Sequence, residues 1–393
     1  MVKVLITPWS GEVEGLGDAR EMPLWAGRLG EATSAAVHEA GLFAVAALEP
    51  GEEALVVPDG TALGPAALRA ALAEGKKLGR DARFRLGGRI GALLEQLAWG
   101  AGADGVVYLR PGGEAVSPAR LAAAEIVVLD PAERLRPGGL DGAEGLPVSD
   151  RLMLPVRHWL QLLWANLLGL GPALWGALVG RSAPLILWRT LRALIRARSF
   201  SAPRLAWGFT RLDRGAWVHP SAVVEGCWLG EGARVGAGAV LRGCVLGAGV
   251  RVEEQALIEG VVAAPGAVVQ RQAMLKFGVL GPGAAMGGVT QLSVLGAGAA
   301  LKLGSYGMDQ GLGRAVRVQV GGGLFDAPMG LAGICLGAGA LVGSGVHVAP
   351  GRVIPPNINV LADHALTHPG LPSVASGAVV SSFVVRGGRL ISP

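Results

Sequence analysis

The chain has 393 residues, 51% hydrophobic and 17% charged, with 64 glycines and a net charge of +5. That length suits two or three domains. So much glycine without a triplet period excludes a collagen and suits a β-solenoid, whose tight corners need positive φ. No CxxC pair or HExxH segment is present, so no metal is expected.

Residues 1–150 alternate between strand-like and helix-like segments. The first residues, Met1-Val2-Lys3-Val4-Leu5-Ile6, lack the charged, apolar and cleavage regions of a signal peptide and read as a strand over 2–6. Helices are expected at 30–40, 66–74 and 90–99, and strands at 43–48, 54–58, 105–109 and 126–129. This order predicts an α/β domain with a mostly parallel sheet. Such sheets bind ligands at the carboxyl ends of their strands. Asp59, just after the strand at 54–58, is therefore a candidate ligand residue, or else the first residue of an Asp-Gly turn.

Residues 133–150 are rich in Gly, Pro and Asp and read as a linker. The block 151–214 is rich in Arg and Trp, with ten arginines against one acid, Asp213. Within it, residues 159–180 carry no charge over 22 positions, long enough to span a bilayer. Gln161, Asn166 and Pro172 interrupt that stretch, and a helical hairpin fits as well: 159–170, a turn at Gly171-Pro172, then 173–179. A further helix at 185–198 puts Arg189, Arg192 and Arg196 on one face. The block reads as a connector packed on its neighbour, as an interfacial membrane helix, or as a span. Its arginines are interleaved with leucines, which argues against a nucleic-acid partner.

From 215 onward the period changes to six. Trp217, Val223, Leu229, Val235, Leu241, Leu246, Val252 and Ile258 recur at that spacing with one short step. Four residues after each stands a small or β-branched residue: Ser221, Cys227, Ala233, Ala239, Val245, Val250, Ala256 and Val262. The phase returns at Leu336, Val342, Val348, Ile354 and Val360. A period of six fits neither an amphipathic helix nor a simple strand; it fits a three-faced β-helix with one residue per face pointing inward. The prism is expected over 215–362 within a domain spanning 215–393, with an inserted loop at about 299–333. In that loop, 314–320 alternates as Arg-Ala-Val-Arg-Val-Gln-Val, and Gly321-Gly322-Gly323 turns it into a projecting hairpin. A last strand is expected at 378–385. Three cysteines make an odd number in a long chain, and Cys227 and Cys244 occupy repeat positions, so buried thiols in a reducing compartment are expected.

Two regions resemble the bifunctional sugar-1-phosphate nucleotidyltransferase/amino-sugar N-acetyltransferase family. Met22-Pro23-Leu24-Trp25-Ala26-Gly27-Arg28-Leu29, followed by a helix to Ala40-Gly41, is similar to its "LPVAGKPL…EAG" segment. Residues 314–323, Leu336-Gly337 within 331–337, and Pro350-Gly351-Arg352 follow its order of basic strand, glycine turn, "LGA-IG" and "G-V-x-PGR". His219-Pro220-Ser221-Ala222 resembles its entry to the prism. The resemblance implies a nucleotidyltransferase-like Rossmannoid domain, α/β in class, followed by a left-handed parallel β-helix that forms a homotrimer with any acyl site between subunits.

The family's catalytic signatures are altered here. Its phosphate-cradling GxGTR loop corresponds to residues 7–20, where Gly15, Gly17 and Arg20 echo it but Glu12, Glu14 and Asp18 add negative charge. Its catalytic His and Tyr correspond to Met274 and Phe277, neither of which takes a proton. His347, in a well-phased coil and outward-pointing, is the remaining candidate base, or a structural histidine. Lys276, Lys302, Tyr306, Asp309, Arg314 and Arg317 are expected to cluster near the broken region and to hold an anionic ligand, or to be solvated loop charges. His38 and His158 have no evident partner.

The functional expectation is a diverged transferase-family protein binding a small molecule, either a nucleotide sugar or an acyl donor such as acetyl-CoA. The alternative is a non-catalytic scaffold docked through 151–214. Either is expected in the cytoplasm, with peripheral association to the inner face of the membrane for the second.

Overall fold

The computed structural model describes residues 2–25, 27–99, 105–132, 134–136, 146–198, 200–311, 313–363, 384–386 and 389–391. The N-terminal sheet contains β1 (Lys3–Thr7), β2 (Phe43–Val45), β3 (Ala54–Pro58), β4 (Ala82–Leu86), β5 (Val107–Leu109) and β6 (Glu125–Leu129). Their order across the sheet is β6-β4-β5-β3-β1-β2. All neighbours are parallel except β5, which runs antiparallel to both β3 and β4. The helices α1 (Leu29–Glu39), α2 (Pro65–Leu78), α3 (Gly88–Gln96) and α4 (Pro118–Ala123) connect the strands. Strand β4 escaped the sequence reading because its Ala-Arg-Phe-Arg-Leu pattern is short and half basic, yet Arg83 is buried and donates to the Leu121 carbonyl at 2.6 Å. Part of the expected linker is ordered: Arg134–Arg136 pairs antiparallel with Leu146–Val148, while 137–145 lie outside the described residues.

The expected helical hairpin at 159–179 is instead one helix, α5 (Trp159–Leu178), with Pro172 inside it. Proline removes one backbone donor and crowds the preceding turn, but packing carries the helix through. Before the proline, Trp159 and Trp164 are fully buried. After it, Leu174 and Leu178 pack with Val245 and Val262 of the prism. Helices α6 (Ala183–Ala197) and α7 (Ala202–Phe209) follow. Among the described residues no single helix is long and apolar enough to cross a membrane.

The C-terminal half is a parallel β-helix with three flat faces, two of eight stacked strands and one of seven. Through the first coils each strand lies above one 17 residues earlier, as Ser221 beneath Gly238 shows. Seventeen is two hexads and a five, which accounts for the short step at Leu246. Leu229, Val235, Leu241, Leu246, Val252 and Ile258 point inward as expected and are no more than 2% exposed. Trp217 and Val223 do not: they are exposed, and Val218 and Val224 face inward beside them. Likewise Ala222, Cys244 and Val261 hold the inward small positions in place of Ser221, Val245 and Val262. All three cysteines are free and buried.

The break in the prism is shorter than the expected 299–333. Ala300–Leu301 and Tyr306–Gly307 still stack in register on the coil below. The phase is lost in the sequence because the inward position is Gly307, where a Cβ would sit 2.5 Å from Thr290 and 2.8 Å from Ile334. The hairpin is present as Arg317–Val320 paired with Gly323–Asp326. It lies back on the N-terminal half: Val316 and Val318 join the same apolar core as Leu16, Trp159 and Val279. Of the expected terminal strand, 378–383 lie outside the described residues, and Val384–Arg386 pairs with Arg389–Ile391.

One prism face is thus covered by the chain's own N-terminal half. Its outward residues Val245, Val262, Val279, Val294 and Cys335 are all nearly inaccessible. Burying a side chain of that size contributes roughly 1.5–3 kcal/mol, so this face is held as core.

Candidate functional site

Two places could hold a ligand by their position in the fold: the carboxyl edge of the N-terminal sheet and a prism face. In the sheet, β2 lies on one side of β1 and β3 on the other, so the chain reverses direction at β1. Ligands of open α/β sheets bind beside such a reversal. Asp59 follows β3 there, but its Oδ1 accepts the Gly60 N–H at 2.9 Å and its own N–H donates to Thr7 O at 3.0 Å. It serves its turn. The Trp9 ring fills the space over Gly60, where a Cβ would meet it at 2.5 Å. The Arg157 guanidinium lies 5.6 Å from the Trp9 ring centre and donates to Asp59 O at 3.1 Å.

The loop after β1 turns much of its backbone to its own hairpin rather than to an open cradle for phosphate. It folds as a hairpin, Glu12–Val13 against Gly17–Asp18. Several of its N–H groups are used at home: Leu16 N to Val13 O at 2.9 Å, Ala19 N to Gly11 O at 2.9 Å, and Glu12 N to Ser10 Oγ at 3.2 Å. Arg20 bonds Asp18 at 2.8 Å and the Ser10 carbonyl. The hairpin tip docks on the prism. Leu16 O accepts from Ala338 N at 3.1 Å, and the Glu14 carboxylate accepts the Gly321 N–H at 2.9 Å.

His158 locks the same junction, a role the sequence did not reveal. Its Nδ1 accepts the Leu160 N–H at 3.2 Å and caps α5, so its Nε2–H faces the Gln319 carbonyl at 3.1 Å. Gln161 closes the cap by accepting the His158 N–H at 2.9 Å. Burial lowers the His158 pKa to about 4 from its ordinary 6.5, against the opposing pull of Gln319. Gln319 lies 161 residues away in sequence, and no local pattern signals the pair.

The prism offers a different setting. One face consists of Val223–Glu225, Val240–Arg242, Leu257–Glu259, Met274–Lys276, Val289–Gln291, Tyr306–Gly307 and His347–Val348; α7 packs on the first of these strands, and among the described residues no helix packs comparably on the other six. Its outward column reads Val223, Val240, Leu257, Met274, Val289, Tyr306 and His347 in register. Beside it runs a polar column: Glu225, Arg242, Glu259, Lys276 and Gln291. Arg242 bonds Glu225 at 2.9 Å, and Gln291 donates to the Asp309 carboxylate.

His347 is exposed, and its ring meets Tyr306 edge-on at 6.2 Å between centres. The structure therefore brings Lys276, Asp309, Tyr306 and His347 onto one face. It does not gather the full expected cluster. Lys302 follows the neighbouring face, where its N–H bonds Val342 O at 2.9 Å. Arg314 and Arg317 lie in the loop folded toward the N-terminal half, Arg317 opposite Asp326. Asp59 belongs to the sheet edge. Of the residues aligned with the resembled family's His and Tyr, Phe277 is a packing residue, 5% exposed, and Met274 stands half-buried in the outward column.

No family model and no curated protein matches the chain. Among solved structures it is similar to the acetyltransferase domain of PglB from Neisseria gonorrhoeae FA1090, at 18% identity over 71% of this chain and 95% of that one, with a TM-score of 0.16. The same domain in complex with acetyl coenzyme A matches at 17% identity and the same coverage, with a TM-score of 0.13. Likeness at this level carries no functional weight.

Proposed function

We propose that the chain is an acyltransferase-type β-helix protein that takes its acyl donor on the open prism face, and that its N-terminal half is a nucleotidyltransferase-like domain that no longer transfers nucleotides. The observation that carries this reading is the exposed His347 stacked beside Tyr306, on a face with Lys276 below it. Lys276 suits the anionic end of a coenzyme A thioester, and the apolar column suits its extended arm. The docked hairpin and the Trp9–Arg157 filling of the sheet edge support an acyl donor over a nucleotide sugar.

The chemistry requires one base. His347 in its neutral form takes the proton of an acceptor amine or hydroxyl as that atom attacks the thioester carbonyl. The tetrahedral intermediate then expels the thiolate, the C–S bond breaks, and the imidazolium returns the proton to sulfur. The compartment proposed is the cytoplasm, where such a donor is available.

A homotrimer fits the same reading of a left-handed prism. One face is occupied by the N-terminal half, leaving two. The open face presents Val240, Leu257, Met274 and Val289; the other presents Val268, Ala285, Ala300 and Leu341, all half-buried. Two unlike apolar faces suit a head-to-tail contact that closes into a ring, with His347 at its edge. The test is thiol release from acetyl-CoA with amino-sugar and alcohol acceptors, together with solution mass. Turnover abolished in His347→Ala and a mass three times the monomer are expected. A monomer that neither binds nor turns over acetyl-CoA at millimolar concentration overturns the proposal.

A further inference from the structure

Helix α6 has its arginines where the sequence put them and its apolar residues where packing does not. Arg189 donates to Ala177 O at 2.7 Å, meeting the end of α5, and Arg196 donates to Thr210 O at 3.1 Å and Gly208 O at 3.3 Å, meeting the end of α7. Cations at helix C-termini stabilise them, so these two are structural. The side turned to solvent is instead Leu187 (72% exposed), Trp188 (62%), Leu191 (50%) and Ile195 (67%). These positions share one arc of the helix. Phe200, 87% exposed, extends it beyond the helix end. The neighbouring α5 is longer and more apolar, yet it buries both Trp159 and Trp164.

Beside the arc lies a cavity of about 550 Å³ lined by Arg189, Arg192, Arg196 and Arg211, with no carboxylate in its wall. Asp213 lies just outside and bonds Arg211 at 2.9 Å. Among the described residues Arg192 has no acceptor. Burial, and then the Arg192 charge, lower the Arg196 pKa, as expected where cations crowd without a counter-ion. An apolar arc with tryptophan at its border, flanked by an arginine pocket, is complementary to the surface of an anionic bilayer. Among the described residues the one apolar helix pair near spanning length bends by 81° at its break, and most of α5 is buried in protein, so surface contact rather than crossing fits.

We propose that α6 docks this protein on an anionic lipid surface, its Leu187–Trp188–Leu191–Ile195 arc entering the boundary between headgroups and chains and its arginine cavity taking a lipid phosphate. This differs from the sequence expectation in placing the apolar arc, not the arginine face, against the membrane. It is independent of the acyl-transfer proposal, since the arc and His347 lie on different elements.

The test is flotation of the full chain with phosphatidylcholine vesicles, with and without phosphatidylglycerol. The wild type is expected to float only when phosphatidylglycerol is present. Leu187→Ser/Leu191→Ser/Ile195→Ser is expected to remain soluble with an unchanged circular dichroism spectrum. Arg192→Gln, which touches no helix end, is expected to lose about fivefold in partitioning, the worth of one surface arginine. Three results overturn the proposal: a wild type that stays soluble with phosphatidylglycerol, one that floats equally without it, and serine variants that lower the solution mass while flotation persists, which would assign the arc to a second copy of the chain. Thermal stabilisation by glycerol phosphate without vesicle capture would assign the cavity to a soluble phosphate and also overturn it.

Discussion

The carboxyl edge of the N-terminal sheet and the open face of the prism differ in what their polar groups are free to do. At the sheet edge the backbone donors close a hairpin, Arg20 bonds Asp18, and Trp9 occupies the space above Gly60. On the prism face His347 and Lys276 point outward from rigid stacked strands. A ligand position conferred by topology is useful only while its donors lack internal partners. Here the edge that the fold favours has become an interface, and under the proposed function the chemistry falls to the prism.

That contrast can be broken in four places. The largest effect is expected on the prism. Replacing His347 with Ala should lower acyl transfer by about 10²–10⁴-fold, the usual worth of a general base, with acetyl-CoA affinity retained; calorimetry beside the thiol-release assay separates the two. Next is the docked hairpin. Leu16 is 1% exposed between the two halves, so Leu16→Ala should cost about 2–5 kcal/mol in urea unfolding, whereas a hairpin resting loosely on the prism would lose almost nothing.

His158 gives a pH signature of the same junction. Above pH 6.5 both folded and unfolded chains hold it neutral. As pH falls below 6.5 the unfolded chain takes up a proton that the folded chain refuses until about pH 4. Stability from this group is therefore present at neutral pH and declines over that window, by up to about 3 kcal/mol in total. Comparing wild type with His158→Gln by urea unfolding from pH 7 to 4 isolates it; parallel curves would show that the buried cap does not titrate this way. The smallest effect is at the sheet edge. Asp59→Ala removes one turn hydrogen bond and should cost about 1 kcal/mol without altering ligand binding.

Much of the prism was legible because its rule is local. An aliphatic every six positions, with one short step at Leu246, placed Leu229 through Ile258 correctly. The rule failed where two apolar residues stand side by side. In Trp217-Val218 and Val223-Val224 either neighbour satisfies a bare period of six, and the five between Val224 and Leu229 was missed; the stacked partner shows which faces in. Val245, Val262 and Val279 recur at the coil length as outward apolar residues, but so do Val240, Leu257 and Met274 on the open face, so the column does not tell which face α5 covers. Pro172 misled, because a local helix breaker was outweighed by contacts with Val245 and Val262. His158 and its distant Gln319 were beyond any local pattern. The site residues divide the same way: the coil phase located His347 outward, but nothing local separated Lys276 and Asp309, which share its face, from Arg314 and Arg317, which do not.

The most direct measurement is parallel calorimetric titration of one preparation with acetyl-CoA and with UTP in the presence of magnesium. Saturable heat with acetyl-CoA and none with UTP is the predicted result. Saturable UTP binding that weakens in Asp59→Asn, with no heat from acetyl-CoA, would contradict the account.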